Sequence, residues 1–220
     1  MTHTSFDLAV CNAMAGSKVE PERAARIVRK TLAAYPDAVL VGVVEASLLL
    51  ETERADWTPE GEGRDLRLVQ RRPVDKAGVA AFIDRKRVEV VSIKYRVGVR
   101  PFIAGRRIGM RTRWVLVIRA RIDGRKRVRK FKVGHLPPKR FWAIWQPMMR
   151  RLGPRGADLG DFNTLARAVA PATGKRASMD LLIGILTPWS WRVTNKRVVD
   201  VDSDHNAVGV TVHHPRKEHR

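Results

Sequence analysis

At 220 residues, 44% of them hydrophobic, the chain is long enough for one domain with a full-sized core and too short for two ordinary ones. Its 43 Lys and Arg against 22 Asp and Glu give a net charge of +21, far beyond what solubility requires, which points to a polyanionic partner, nucleic acid above all. The single cysteine, Cys11, excludes an intramolecular disulfide and a cysteine-built zinc site; with no signal-like amino terminus and no membrane-length apolar run, the expectation is a cytoplasmic protein with no membrane partner.

Phe6 to Cys11 reads as a short buried strand ending at Asn12. Glu20 to Ala34 places Ala24, Ile27, Val28, Thr31 and Leu32 at helical spacing behind Pro21, and Asp37 to Val44 is a second buried strand closed by Glu45. Strand, helix and strand within forty residues form the βαβ-like opening of a layered α/β domain. An acidic, turn-forming loop follows from Thr52 to Gly63. Leu66 to Arg72, Gly78 to Ile83 and Val88 to Tyr95 then read as successive antiparallel strands, with a turn at Asp84-Arg85-Lys86. Arg96 to Arg111 is a basic loop or irregular edge.

Trp114 to Ile122 and Val128 to Val133 flank Asp123-Gly124, the strongest hairpin signal in the chain. Lys139 to Leu152 is amphipathic and predicts a helix, with Trp142 and Trp145 packing into the core. Leu165 to Val169 forms a short helical turn, Met179 to Leu186 one strand carrying Asp180, and Arg192 to Val201 and Ala207 to Val212 the last two strands. A single domain is expected over residues 1–212, with 213–220 a loose basic tail.

Polar residues cluster where these strand-like runs stop: Asn12, Glu45, His135, Asp161 with Asn163, Asp180, and Asp204 with His205. Each has a plain structural reading. Asn12 could simply end a strand, Glu45 could sit at a helix amino terminus, Asp161 and Asn163 could make an Asx turn, and Asp180 could pair with Lys175 or Arg176. Trp189 and Trp191, near the expected cleft, suit base stacking and core packing equally.

Two of the clusters carry more. Gly160-Asp161-Phe162-Asn163 is a string that residue usage alone would produce in about one such chain in a thousand. Ser203-Asp204-His205-Asn206 follows some forty residues later, and Gly134-His135-Leu136-Pro137-Pro138 precedes it. In this order, with Asn12 and Glu45 closing the first two strands, they resemble the endonuclease/exonuclease/phosphatase superfamily, the DNase I-like fold. The departures are Cys11-Asn12 where the family usually has Trp-Asn, and Val44-Glu45 where Gln-Glu is frequent.

The resemblance implies a four-layered αββα sandwich, two mixed β-sheets with helices packed outside, and one cleft at the sheet edge. It implies a magnesium or manganese ion held by Glu45, with Asn12 and Asp204 contributing. It further implies Asp161 orienting or deprotonating the attacking water, Asn163 holding a phosphate oxygen, His135 and His205 as the histidine pair, and Asp180 as the carboxylate that orients a histidine. Histidine at position 135, where apurinic endonucleases carry tyrosine, turns the reading away from abasic-site repair. The charge favours a nuclease over the family's lipid and sugar phosphatases, on DNA ahead of RNA, with Arg96, Arg100, Arg106, Arg107, Arg111 and Arg113 tracking the backbone. A phosphomonoesterase of inositol phosphates or nucleotides, and an inactive nucleic-acid-binding member of the fold, are the alternatives. No obligate protein partner is inferred.

Overall fold

The computed structural model describes residues 5–13, 21–46, 65–70, 78–99, 102–103, 106–107, 113–136, 152, 155–164 and 166–213. The helix expected over 139–152 lies outside them except for Leu152, which is buried. The loop expected at 52–63, the tail beyond His213, Arg100 and Arg111 lie outside as well.

Strand β1 (Ser5–Asn12), helix α1 (Pro21–Ala34) and β2 (Ala38–Val44) open the chain, and β1 and β2 pair in parallel as a βαβ unit requires. The chain continues through β3 (Leu66–Gln70), β4 (Val79–Asp84), β5 (Val88–Val99), the two-residue strands β6 (Phe102–Ile103) and β7 (Arg106–Arg107), β8 (Arg113–Ile122), β9 (Arg129–His135) and β10 (Ala157–Asp161). Helix α2 (Ala166–Thr173), β11 (Lys175–Asp180), β12 (Ile183–Pro188), β13 (Arg192–Val199) and β14 (Ala207–His213) complete it.

Two mixed six-stranded sheets result, in the orders β13-β14-β1-β2-β4-β3 and β11-β12-β10-β9-β8-β5. Each has one parallel pair at its centre, β1 with β2 and β9 with β10, and antiparallel neighbours elsewhere. The sheets pack face to face over one apolar cluster that takes Phe6, Leu8, Val10 and Leu40 from the first and Leu116, Ile118, Phe131, Val133, Leu159 and Ile185 from the second. A second cluster joins the other face of the first sheet to α1 through Ala24, Ile27, Val28 and Leu32. Cys11 belongs to it, and burial pushes its thiol up to about 12, so it behaves as a small hydrophobe. Helix α2 lies against β11. The architecture is the expected αββα sandwich.

Three local readings are corrected. Residues 175–188 are two strands rather than one: the chain reverses at 181–182, where Leu181 has a φ of 47°, so Asp180 ends β11 instead of lying mid-strand. The segment leading to Asp161 is itself a strand, β10, whose five residues include a glycine and two aspartates and so carry little strand signal. Half of the expected basic loop is strand, since β5 continues to Val99, pairing along β8, and β6 and β7 lie within it. The Asp123-Gly124 turn forms as read, with φ of 53° and 68°. Arg87 fastens it, its guanidinium donating to both Asp123 carboxylate oxygens at 2.8 and 3.1 Å and to the Ser5 carbonyl at 3.0 Å.

Candidate active site

Strand period places the site. On β1, Phe6, Leu8 and Val10 point into the space between the sheets, and Asn12 is next in that column. Phe131 and Val133 lead in the same way to His135, and Ala157 and Leu159 to Asp161. Each inward column is apolar until its last position, which is polar. The central parallel pairs end at the same edge, so residues from both sheets meet there. His135 and Asp161 face each other in register. Gly160 is what permits that closeness, because a Cβ at this position would stand 1.8 Å from the carbonyl oxygen of Gly134.

Five titratable side chains form a chain of near contacts. His135 Nδ1 is 3.7 Å from Glu45 Oε1, and its Nε2 is 3.6 Å from Asp161 Oδ2. His205 Nε2 is 3.6 Å from the same Asp161 oxygen and 3.7 Å from Asp204 Oδ2. These separations exceed hydrogen-bond length, leaving the groups oriented toward one another but unlocked. Arg113 closes the group at 2.7 Å from His135 Nδ1. A guanidinium can only donate, so Nδ1 accepts and the His135 proton sits on Nε2, toward Asp161.

The electrostatics follow from crowding. Burial holds His135 well below the ordinary histidine value, and Arg113 and His205 push it further, so the ring is neutral at physiological pH. Burial also raises the carboxyls of Glu45 and Asp161; the nearby Asp204 and Asp161 add to the rise at Glu45, and the backbone N–H of Asn163 opposes it at Asp161. Glu45 and Asn163 have left-handed backbone, φ 55° and 50°, and in Glu45, which has no short side chain to compensate, this is local strain at the site.

The Asx turn and the site reading of Asp161 hold together, because they use different oxygens. Oδ1 accepts from the Asn163 N–H at 2.8 Å, while Oδ2 faces both imidazoles. Asn163 is tied down in turn, its side-chain amide donating to the Leu136 carbonyl at 2.6 Å and bracing the His135 turn against the Asp161 turn. The Ser203 hydroxyl donates to the Asn12 carbonyl at 2.8 Å, anchoring the Asp204–His205 connection to the end of β1. Asn12 is buried.

Asp180 departs from expectation. Its carboxylate accepts from Asn206 at 3.0 Å and meets no imagined histidine partner among the described contacts, because the connection before β14 presents Asn206 to the end of β11 while His205 turns toward Asp161. Nor does it pair with Lys175, which reaches Asp158. Arg113, read as a backbone-tracking cation, stands at the centre of the site instead. Arg96 lies on β5 away from it, and Arg106 and Arg107 form β7. Trp191 packs between the sheets against Phe6 and Phe131 at the end opposite the site, and Trp189 is exposed close by.

A divalent cation can be tested against these residues. The oxygen donors of Glu45, Asp204 and Asn12 are hard, and the burial and then the carboxylate repulsion that raise Glu45 are what a cation would relieve. Among the described residues no three His, Cys, Asp or Glu converge into a closed ligand set. Magnesium asks less of the protein than that, since it binds through one or two carboxylates and keeps several waters.

No family model and no curated protein matches the sequence. Solved structures do. An endonuclease/exonuclease/phosphatase family protein from Bacteroides thetaiotaomicron superposes with a TM-score of 0.71 at 13% identity, over 99% of this chain and 98% of that one. D. rerio TDP2 complexed with single strand DNA product gives 0.64 at 11% identity, over 96% and 100%. The mannosyl-6-phosphatase of Bacteroides thetaiotaomicron gives 0.65 at 14%, over 94% and 99%. The fold is that of the endonuclease/exonuclease/phosphatase, or DNase I-like, superfamily.

Proposed function

We propose that the protein is a divalent-metal-dependent phosphodiesterase, a nuclease acting on DNA and secondarily on RNA with little sequence preference, carried by one domain over residues 1–212. One observation supports this most: Glu45, His135, Asp161 and His205, from four separate segments of the chain, form a series whose successive members stand 3.6 to 3.7 Å apart at the shared edge of the two sheets. A magnesium or manganese ion bound by Glu45, with Asp204 and Asn12 beside it, would polarise a phosphoryl oxygen.

The chain's own residues supply the rest. Asp161 Oδ2 is the acceptor for the proton of an attacking water, its other oxygen being occupied by Asn163. His205, which is partially exposed and reaches both Asp161 and Asp204, is the side chain that meets the scissile phosphate. Neutral His135 donates from Nε2 toward the reacting oxygens and cannot itself take a proton at Nδ1 while Arg113 occupies it. Arg113 contributes fixed positive charge to the developing phosphorane.

The charge of +21 favours a polymeric anion over a single phosphate group, and a structural neighbour is complexed with single strand DNA. A phosphatase neighbour at equal similarity makes phosphomonoester hydrolysis the second reading. Supercoiled plasmid with magnesium distinguishes them. Nicking without release of inorganic phosphate, abolished by chelator and by Asp161→Ala and His205→Ala, is the expected result; release of phosphate from sugar or inositol phosphates without nicking would replace it.

A further inference from the structure

The outer face of the second sheet carries a concavity of about 710 Å3, remote from the edge just described. Its exposed cationic lining includes Lys94, Arg96, Arg119, Arg127 and Arg155, with Lys130 and the buried Arg129 beside them, and no carboxylate is among the described lining residues. Strand alternation puts them there: Lys94 and Arg96 alternate with core-packed Ile93 and Tyr95 on β5, and Arg119 follows buried Ile118 on β8. Arg119 stands directly opposite Lys130 in the β8–β9 register, a like-charge pair that costs stability unless an anion lies between. Lys130 is held below its ordinary value first by burial and then by Lys132, Arg96 and Arg119.

An aromatic flank adjoins the groove. Trp189, 63% exposed, follows the lining residue Pro188, and the Arg176 guanidinium lies 5.2 Å from its ring. Cations spread over three adjacent strands span about 10 Å across the sheet, more than one phosphate group can neutralise. A polyphosphate backbone fits, and a stackable ring beside it is the feature single-stranded nucleic acid uses.

We propose that this groove is a second nucleic-acid-binding site, holding the phosphate backbone of a substrate strand while Trp189 stacks on a base. It rests on the nucleic-acid reading of the protein and extends it: Lys130 precedes His135 by five residues on β9, so the groove lies about 16 Å from the reaction centre. Substrates long enough to reach both would be held at two points, and short ones at one.

The test uses the full chain with Lys94, Arg119 and Arg155 all changed to Gln, positions that are exposed and outside the reaction centre. Binding of a labelled 30-nucleotide single strand and of its duplex is read by anisotropy in chelator across a salt series. The triple variant is expected to bind at least tenfold more weakly, with the slope of log affinity against log salt reduced by about 2 for the single strand. Trp189→Ala is expected to weaken the single strand more than the duplex. Hydrolysis of bis(p-nitrophenyl) phosphate with magnesium, which needs only the reaction centre, should be unchanged in the variants; its absence in wild type would overturn the phosphodiesterase reading while the binding result stands by itself. Unchanged affinity and salt slope in the triple variant would overturn the groove. So would a triple variant that loses binding to vesicles of anionic lipid yet keeps its affinity for DNA.

Discussion

Asp158 and Asp161 lie three residues apart on one strand and point to opposite faces, and their surroundings could hardly differ more. Asp158 is fully buried and clamped, with Lys132 Nζ at 2.8 Å and Lys175 Nζ hydrogen-bonded to its other oxygen. Asp161 is almost as deeply buried, yet among the described residues its Oδ2 faces two imidazoles at 3.6 Å. The first carboxylate has a buried ammonium against each oxygen, Lys175 by hydrogen bond and Lys132 by charge alone, since Oδ1 makes no hydrogen bond. The second turns one oxygen toward two imidazoles beyond hydrogen-bond length, the arrangement the proposed reaction uses.

The largest effect that separates the two regions is on stability. Asp158→Asn leaves two buried ammonium groups without a carboxylate and should cost about 3 to 5 kcal/mol, read by urea unfolding. An unchanged midpoint would mean the cluster is wetter than its burial indicates. On the other face, Glu45→Gln should leave the unfolding midpoint near wild type and raise the magnesium concentration for half-maximal cleavage about 10- to 100-fold. A metal response identical to wild type would remove Glu45 from the ligand set. Arg113→Ala frees His135 Nδ1 and should lower the cleavage rate about tenfold, with binding of DNA in chelator little changed.

The smallest effect is a pH dependence in the clamped cluster. Burial depresses the Lys175 ammonium to about 8, against an ordinary lysine value near 10.5. Between those values the unfolded chain holds more protons than the folded one, so the contribution to stability rises as pH rises through the window, and below about pH 8 the cost of the buried charge is fully present. Lys175→Met should flatten that rise in unfolding curves taken from pH 8 to pH 10. A rise of the same size in the variant would assign it to another group.

The same contrast explains what the sequence disclosed. Asp161, His135 and Asn12 were legible because each ends an apolar column, a place where a polar residue contributes nothing to the core, and because Gly160-Asp161-Phe162-Asn163 is a rare string. Asp158 was passed over for the opposite reason. Its partners Lys132 and Lys175 come from strands distant in sequence, and lysines in a chain this basic read as surface charge until the topology buries them. Arg113 was hidden in the same way among its basic neighbours. The position of Asp180 is not legible because one reversal at 181–182 decides whether it stands mid-strand or at a strand end, and Leu181-Leu182 carries no turn residue. The pairing of the sheets was not readable from local pattern at all; each has its single parallel pair at the centre, and only long-range register creates the edge where the two pairs meet.

The most direct test of the account is the magnesium-dependent rate of plasmid cleavage by Asp161→Asn, expressed per folded molecule and set beside Asp158→Asn. The account predicts that Asp161→Asn stays folded and loses about 100- to 10,000-fold in rate, while the folded fraction of Asp158→Asn cleaves as wild type does. A folded Asp161→Asn protein that cleaves at the wild-type rate would contradict it.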